Sequence, residues 1–262
     1  MEKVCIGIPY YGTADMEWVS PLVGTVAHLQ SEDINLIEVI AIGGMMTDLA
    51  RNEVVNRFLA TEAEWLQWID ADNTVSVGMI RRLLDTKKSL VTGVYVKRDE
   101  KNPEPILYLS GNDGMYQNLQ NWRRGEILPV DAAGLGGCLV HRSVFDDIKR
   151  GYRILERVNG GIVVVHKDDI DGDIFDESKN TDGKVIEGSY HDRLQIPKHK
   201  HTFPYFMIEY ARTEDYGFFE RARRVGHSLW ADTSVELGHV GKHIHKPEDW
   251  RKLQRHMYGE EK

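Results

Sequence analysis

Two aspartates one residue apart, Asp70 and Asp72, close a short apolar run in the segment "WLQWIDADN", residues 65–73. The run has the length and composition of a buried strand. A buried strand that ends in Asp-x-Asp delivers two carboxylates to the rim of a sheet. In open α/β sheets, ligands bind at that rim, beyond the carboxyl ends of the strands. Carboxylates are hard oxygen ligands, suited to Mg²⁺ or Mn²⁺ held together with substrate phosphates. The chemistry expected here is a metal–diphosphate site. The competing reading is that Asp72 or Asn73 caps the helix that follows.

The elements that position this segment follow from periodicity. Residues 4–8 form an apolar run before the turn-prone "PYYGT", which gives strand one and its loop. Trp18, Val19, Leu22, Val23, Val26, Ala27 and Leu29 recur at helical spacing. Residues 36–42 read as strand two. From Asp48, the stripe Leu49, Ala50, Val54, Val55, Phe58 and Leu59 marks a second helix. After the Asp-x-Asp strand, Val77, Ile80, Leu83 and Leu84 mark a third helix, and residues 90–96 a fourth strand. This alternation implies right-handed βαβ units and a parallel sheet.

Beyond residue 97 the pattern changes. Short strands are expected at 106–109, at Ile127–Val130 and at Cys138–His141, and a helix from Ser143. Ser143 with Asp146 resembles a capping box with a short acid. Residues 151–205 read as an insertion or flap within one domain of 1–262, with an apolar run at 162–165. Its acidic stretch at 168–182 fails the EF-hand template, because Gly172 follows Asp171 directly and no glutamate falls at the twelfth position. A helix from Glu214, one or two strands over 228–241 and a last helix over 247–257 complete the chain.

Net charge is −8, which argues against a protein built mainly to grip nucleic-acid phosphates. No apolar run approaches membrane-spanning length, so no membrane insertion is expected. The start of the chain lacks the pattern of a signal peptide. Cys5 and Cys138 sit in apolar runs and read as buried free thiols of a cytoplasmic protein.

Four segments in order carry a resemblance: "CIGIPYYG"; "LARNEVVNRFL" with "WLQWIDADN"; "AGLGGCLVHRSVFDDI"; and "RTEDYGFFERARRVGHSLWADTSVELGHVG". Together they resemble glycosyltransferases of the GT-A fold, in the family-2-like group seen in phages and bacteria. The match spans roughly residues 3–150 and 205–241 and leaves the 151–205 stretch uncovered. The resemblance implies an α/β GT-A fold with a mostly parallel central sheet flanked by helices. It implies a metal-dependent, inverting transfer from a nucleoside-diphosphate sugar to an acceptor hydroxyl. The acceptor is a glycan, a protein or a modified DNA base, and the residues do not choose among them.

The resemblance also implies roles. Asp72 is placed on the metal, Asp70 near both ribose and metal, and His239 as a late metal ligand. Imidazole favours Mn²⁺ over Mg²⁺. The alternative for His239 is a structural histidine bonded to backbone. His243 and His245 are near enough to serve instead, or to form a zinc site with it, although no cysteine accompanies them. Asp215 would be the general base, taking the acceptor proton, and Glu214 would orient acceptor or base. The alternative for Asp215 is helix-dipole stabilisation. Pro9, Tyr10 and Tyr11 would line the base pocket. Arg51 would pair with phosphate and Asn52 with base or ribose, against an ordinary exposed helix face. Lys97 and Arg98 meet acceptor or phosphates, or are simply solvated.

Two rival classes remain. A nucleotidyltransferase on a similar sheet usually carries a Gly-rich, Lys-bearing loop after strand one, and "GIPYYGTADMEW" has neither. A non-catalytic carbohydrate-binding protein of the same fold has no need to keep Asp70, Asp72, Asp215 and His239 together.

Overall fold

The computed structural model describes residues 1–12, 16–111, 115–157, 162–170, 181–185, 203–208, 213–241 and 244–258. Most of the acidic 168–182 stretch, all of the His-bearing 191–201 stretch and His243 lie outside these residues.

The first hundred residues alternate as the periodicity requires. β1 (Glu2–Tyr10), α1 (Met16–His28), β2 (Ile34–Gly43), α2 (Thr47–Ala60), β3 (Trp65–Trp68), β4 (Asn73–Thr74), α3 (Met79–Asp85) and β5 (Leu90–Val94) follow in order. The next part is richer in strands: β6 (Leu107–Ser110), β7 (Tyr116–Asn118), β8 (Ile127–Val130), β9 (Ala132–Ala133), β10 (Cys138–His141), then α4 (Arg142–Gly151). β11 (Tyr152–Arg157), β12 (Ile162–His166), α5 (Lys167–Ile170) and β13 (Thr181–Val185) occupy the stretch expected as an insertion. α6 (Glu214–Arg224), β14 (Leu229–Glu236), β15 (Gly238–Val240), β16 (Ile244–His245) and α7 (Pro247–Tyr258) close the chain.

The central sheet has seven strands in the order β2-β1-β3-β10-β5-β14-β8. β1 pairs in parallel with β2 and β3, and β5 with β14, while β10 and β8 run the opposite way. The sheet is thus mostly parallel. Its strands alternate between two cores. Leu66, Trp68, Cys138, Val140, Leu90 and Val94 face one core with α2, α4 and α6. Val4, Ile6, Ile8, Leu139 and Val91 face the other with Trp18 of α1 and Ile80 and Leu83 of α3. Burial on both faces explains why these strands read as continuous apolar runs rather than alternating ones. Cys5 and Cys138 are buried free thiols.

Three smaller sheets decorate this frame: β12-β11-β13, β16-β15-β4 and β7-β6-β9. The first is built wholly from residues of the 151–205 stretch. The second matters for the site, because it pins the chain just after Asp72 against the chain around His239.

Three local expectations change. α3 begins at Met79 with Gly78 at its N-cap, so neither Asp72 nor Asn73 caps it. The N-cap of α4 is His141, whose ring accepts from the Ser143 backbone N–H; Ser143 lies inside the helix and forms no capping box with Asp146. α2 is not an ordinary amphipathic helix. Its polar residues Asp48, Arg51, Asn52, Glu53 and Asn56 are buried along with the apolar stripe.

Candidate active site

β1 and β3 run side by side, with Gly7 opposite Trp68 and the Ile69 amide donating to the Gly7 carbonyl. Both strands therefore empty onto the same sheet edge. There they open a cleft of about 420 Å³, lined by Pro9, Tyr10, Tyr11, Met45, Thr47, Arg51, Asp70, Asp72 and Arg98, with Val240 and Gly241. Tyr11 is fully at the rim, whereas the Tyr10 ring lies on the bare backbone of Gly43.

The Asp-x-Asp turn is closed by the Asn73 amide on the Asp70 carbonyl at 2.9 Å. β4 then pairs with β15, which sets Asn73 opposite His239. The Val240 amide donates to the Asp72 carbonyl at 2.7 Å. This register brings the His239 Nε2 within 3.4 Å of Asp72 Oδ2. On the other side of the ring, Nδ1 lies 2.8 Å from the Val96 carbonyl oxygen. A carbonyl only accepts, so Nδ1 carries a proton there, and in the neutral ring the Nε2 lone pair faces Asp72. Partial burial works against the charge on Asp72. With both ring nitrogens protonated, His239 supplies a hydrogen bond and a positive charge that, together with Arg98, outweigh it and hold the carboxyl below its usual range.

Asp70 belongs to a different cluster. Its two oxygens face Arg51, at 3.1 Å from Nη1 and 3.4 Å from Nη2. The Arg51 Nε is 3.4 Å from Glu214 Oε1 and 3.4 Å from Asp215 Oδ1. The guanidinium also lies over the Trp68 ring at 5.5 Å. Arg51 is almost wholly buried. Burial opposes its charge, but Asp70, Asp215 and Glu214 keep it firmly protonated. One cation thus serves three acids, which raises the cost of ionising all of them. Burial, with Glu214 and Asp70 close by, outweighs Arg51 and pushes Asp215 up to about 7. Burial likewise raises Asp70. Asp215 Oδ2 accepts from the Leu135 amide at 3.3 Å. The helix α6 that carries Glu214 and Asp215 has Thr213 at its N-cap, so Asp215 is a first-turn acid and not the cap.

These placements bear on three expectations. Asp70 lines the same cleft as Asp72, but its oxygens face Arg51. Among the described residues, no three His, Cys, Asp or Glu side chains form a ready cage for a metal ion. Arg51 faces carboxylates, and its charge is committed to them. Asn52 is spent on the backbone of Phe206, donating to its carbonyl at 2.7 Å and accepting its amide at 3.0 Å. It is a strut that holds 203–208 against α2, not a base or ribose contact. Lys97 turns away to Glu104 at 2.7 Å, while Arg98 reaches Asp72 Oδ2 at 3.0 Å. His245 stands opposite His239 in the β15–β16 pairing and is buried.

The sequence gives no role to Tyr95, and reads "GLGG" as a Gly-rich turn without saying what its glycines meet. Tyr95 is buried between the clusters, with its ring edge-on to His239 at 5.5 Å. Burial raises its phenol well above the usual value, and Asp70 and Asp215 add to that. The turn "GLGG" owes its glycines to close approach. A Cβ at Gly134 would sit 1.8 Å from the Tyr95 hydroxyl, and one at Gly136 would sit 1.9 Å from Asn73 Oδ1 and 2.8 Å from Asp70 Oδ2.

No sequence-family model matches the chain, and no curated protein matches it. Similarity appears at the level of structure. A197 from STIV superposes with a TM-score of 0.50 and 14% identity, over 92% of this chain and 86% of that one. GalNAc-T7 with UDP, GalNAc and Mn²⁺ gives 0.48 and 10%, over 92% of this chain but only 44% of its own length. The 4-diphosphocytidyl-2C-methyl-D-erythritolsynthase from Anaerococcus prevotii DSM 20548 gives 0.33 and 11%, over 57% of this chain and 74% of that one. At these identities the likeness concerns the fold alone. No helix among the described residues is long and apolar enough to cross a membrane. The mostly parallel sheet flanked by helices, with Asp-x-Asp at its edge cleft, has the architecture of the GT-A fold.

Proposed function

We propose that the protein is a metal-dependent glycosyltransferase that moves a sugar from a nucleoside-diphosphate donor to an acceptor hydroxyl with inversion. The observation that carries this reading is the Asp72–His239 pair at the mouth of the sheet-edge cleft, with the far nitrogen of His239 anchored on Val96. A ligating histidine characteristically spends its other ring nitrogen on a backbone carbonyl or carboxylate, which fixes tautomer and orientation. One carboxylate and one imidazole, with the remaining positions left to phosphate oxygens and water, suit Mn²⁺ or Mg²⁺ bound together with its substrate. Asp72 and His239 would hold that ion, which would supply charge stabilisation to the departing diphosphate.

The protein's own groups supply the rest. Pro9, Tyr10 and Tyr11 form the wall of the cleft against which the donor's base would lie. Asp70 shapes the donor side through its hold on Arg51. Asp215 is the base. Its raised pKa lets it accept a proton from an acceptor hydroxyl near neutral pH without being too weak to do so. Arg51, itself held by Glu214, fixes its carboxylate, and the Leu135 amide steadies its second oxygen.

The test is donor hydrolysis and transfer measured against UDP-, GDP-, ADP- and CDP-sugars, with Mn²⁺ and with a chelator. Metal-dependent release of the nucleoside diphosphate supports the reading. Release of pyrophosphate from a nucleoside triphosphate and a sugar phosphate would favour a nucleotidyltransferase instead. Binding of sugars with no turnover of any donor would leave a carbohydrate-binding protein.

A further inference from the structure

We propose that Arg98 is an exchangeable cation: it holds Asp72 while the site lacks metal, and it turns to the donor's diphosphate once a divalent ion takes that carboxylate. The inference rests on the metal-dependent reading above and gives a defined role to a residue that the sequence leaves open between acceptor, phosphates and solvent.

Two nitrogens converge on one oxygen. Asp72 Oδ2 is 3.0 Å from Arg98 Nη1 and 3.4 Å from His239 Nε2. That oxygen lies where a metal shared with His239 would bind. A guanidinium and a divalent ion cannot both sit on it, because two cations within a few ångströms repel strongly in a partly buried cleft. Metal entry therefore has to displace Arg98.

Arg98 is built to move. Its side chain is 50% exposed, and its hydrogen bond to the Val240 carbonyl is long at 3.5 Å. The stem runs over Gly241, where a Cβ would come within 3.5 Å of the Arg98 Cδ. Arg51 differs on each point: it is buried and held by three acids. Among the described residues lining the cleft, these two carry the positive charge. Arg51 is committed, so Arg98 is the cation left to meet a diphosphate, and a guanidinium matches phosphate oxygens in bidentate fashion.

The exchange has a thermodynamic signature. Arg98 competes with metal alone but cooperates with metal plus diphosphate, so the two ligands strengthen each other's binding. Arg98→Ala should bind Mn²⁺ alone about two- to fivefold more tightly, the range expected for losing a half-exposed ion pair. The same variant should bind nucleoside diphosphate in the presence of Mn²⁺ about tenfold more weakly, the loss of a charge-assisted contact. Arg98→Lys should recover part of the second effect. Mn²⁺ is followed by the electron paramagnetic resonance of the free ion, and UDP, GDP, ADP and CDP by calorimetry. Thermal unfolding of both variants at the wild-type temperature confirms that they fold. Asp72→Asn is the control that separates the two levels. If the wild type binds Mn²⁺ and Asp72→Asn does not, the metal site stands. With the site standing, either affinity of Arg98→Ala left unchanged overturns the exchange alone. A wild type that binds no Mn²⁺, or an Asp72→Asn that binds it normally, overturns both.

Discussion

Arg51 stands 3.1 Å from Asp70 and so ties the helix after the second strand to the acid that ends the third. The same guanidinium reaches Glu214 and Asp215, which lie far along the sequence. Its removal would leave three largely buried carboxylates without a counter-charge. Arg51→Met should therefore cost about 3–5 kcal/mol at neutral pH in urea denaturation. The sign of the pH dependence follows from the raised Asp70 and Asp215. Without Arg51 both acids rise further, and protonating them removes the uncompensated charge. The deficit should shrink as pH falls from about 8 to about 5, because the folded variant takes up protons that the unfolded chain does not. A deficit that stays constant over that range would show that packing against Trp68, and not charge, is what Arg51 supplies.

The Asp72–His239 pair makes a separate prediction about metal. Asp72→Asn should abolish Mn²⁺ binding, and His239→Ala should weaken it about ten- to a hundredfold or more. Asp72 sits at a strand end outside the core, so its substitution should change stability by no more than about 1 kcal/mol. Recognition of the donor's base should persist in both, since Tyr10 and Tyr11 are untouched. Unaltered Mn²⁺ affinity in His239→Ala would make the imidazole a structural group bridging Val96 and Asp72.

Asp215 predicts a pH profile. Its carboxyl is pushed up to about 7 by burial, so the base form is scarce in acid and fills in as pH rises through about 7. The transfer rate should climb across that window and then level. Asp215→Asn should suppress transfer while sparing donor binding, because the base acts on the acceptor. Direct displacement with this base inverts the anomeric centre. Nuclear magnetic resonance of the product decides the point: retained configuration would remove the general-base role and leave Asp215 as one of the acids held by Arg51.

Much of the frame is legible in the sequence because it is local. Apart from the two-residue β4, the strands of residues 1–100 are apolar runs bounded by turns, and the helices carry periodic stripes. The expected strands at Ile127–Val130 and Cys138–His141 stand at those residues. What is not legible is set by long-range pairing. The β4-β15-β16 sheet is built from strands of two or three residues, too short to show any period, yet it is what places His239 beside Asp72. Arg51 and Glu214 are 163 residues apart, and nothing around either announces the other. Asn52 has the polarity of a ligand contact, and only the fold reveals that its amide is filled by Phe206. In α2 the hydrophobic stripe is real, but buried charges on its other faces break the amphipathic expectation, as functional sites commonly do.

The Gly136 contact gives the last prediction. Any side chain there would meet Asn73 Oδ1 at 1.9 Å and Asp70 Oδ2 at 2.8 Å, distances no Cβ tolerates. Gly136→Ala should therefore push the "GLGG" turn away from the Asp-x-Asp turn. Overpacking of this kind costs about 1–3 kcal/mol. Donor binding should fall with it, because both Asp70 and the register of β4 against β15 depend on Asn73 staying in place. Asn73→Ala removes the nearer clash at the expense of the Asn73 contact to the Gly238 carbonyl. The double variant should then be more stable than the two single losses added together, by at least about 0.5 kcal/mol, as expected for residues in direct contact. Strict additivity would mean that the turn yields without touching Asn73. In that case the spacing between the two turns is set elsewhere.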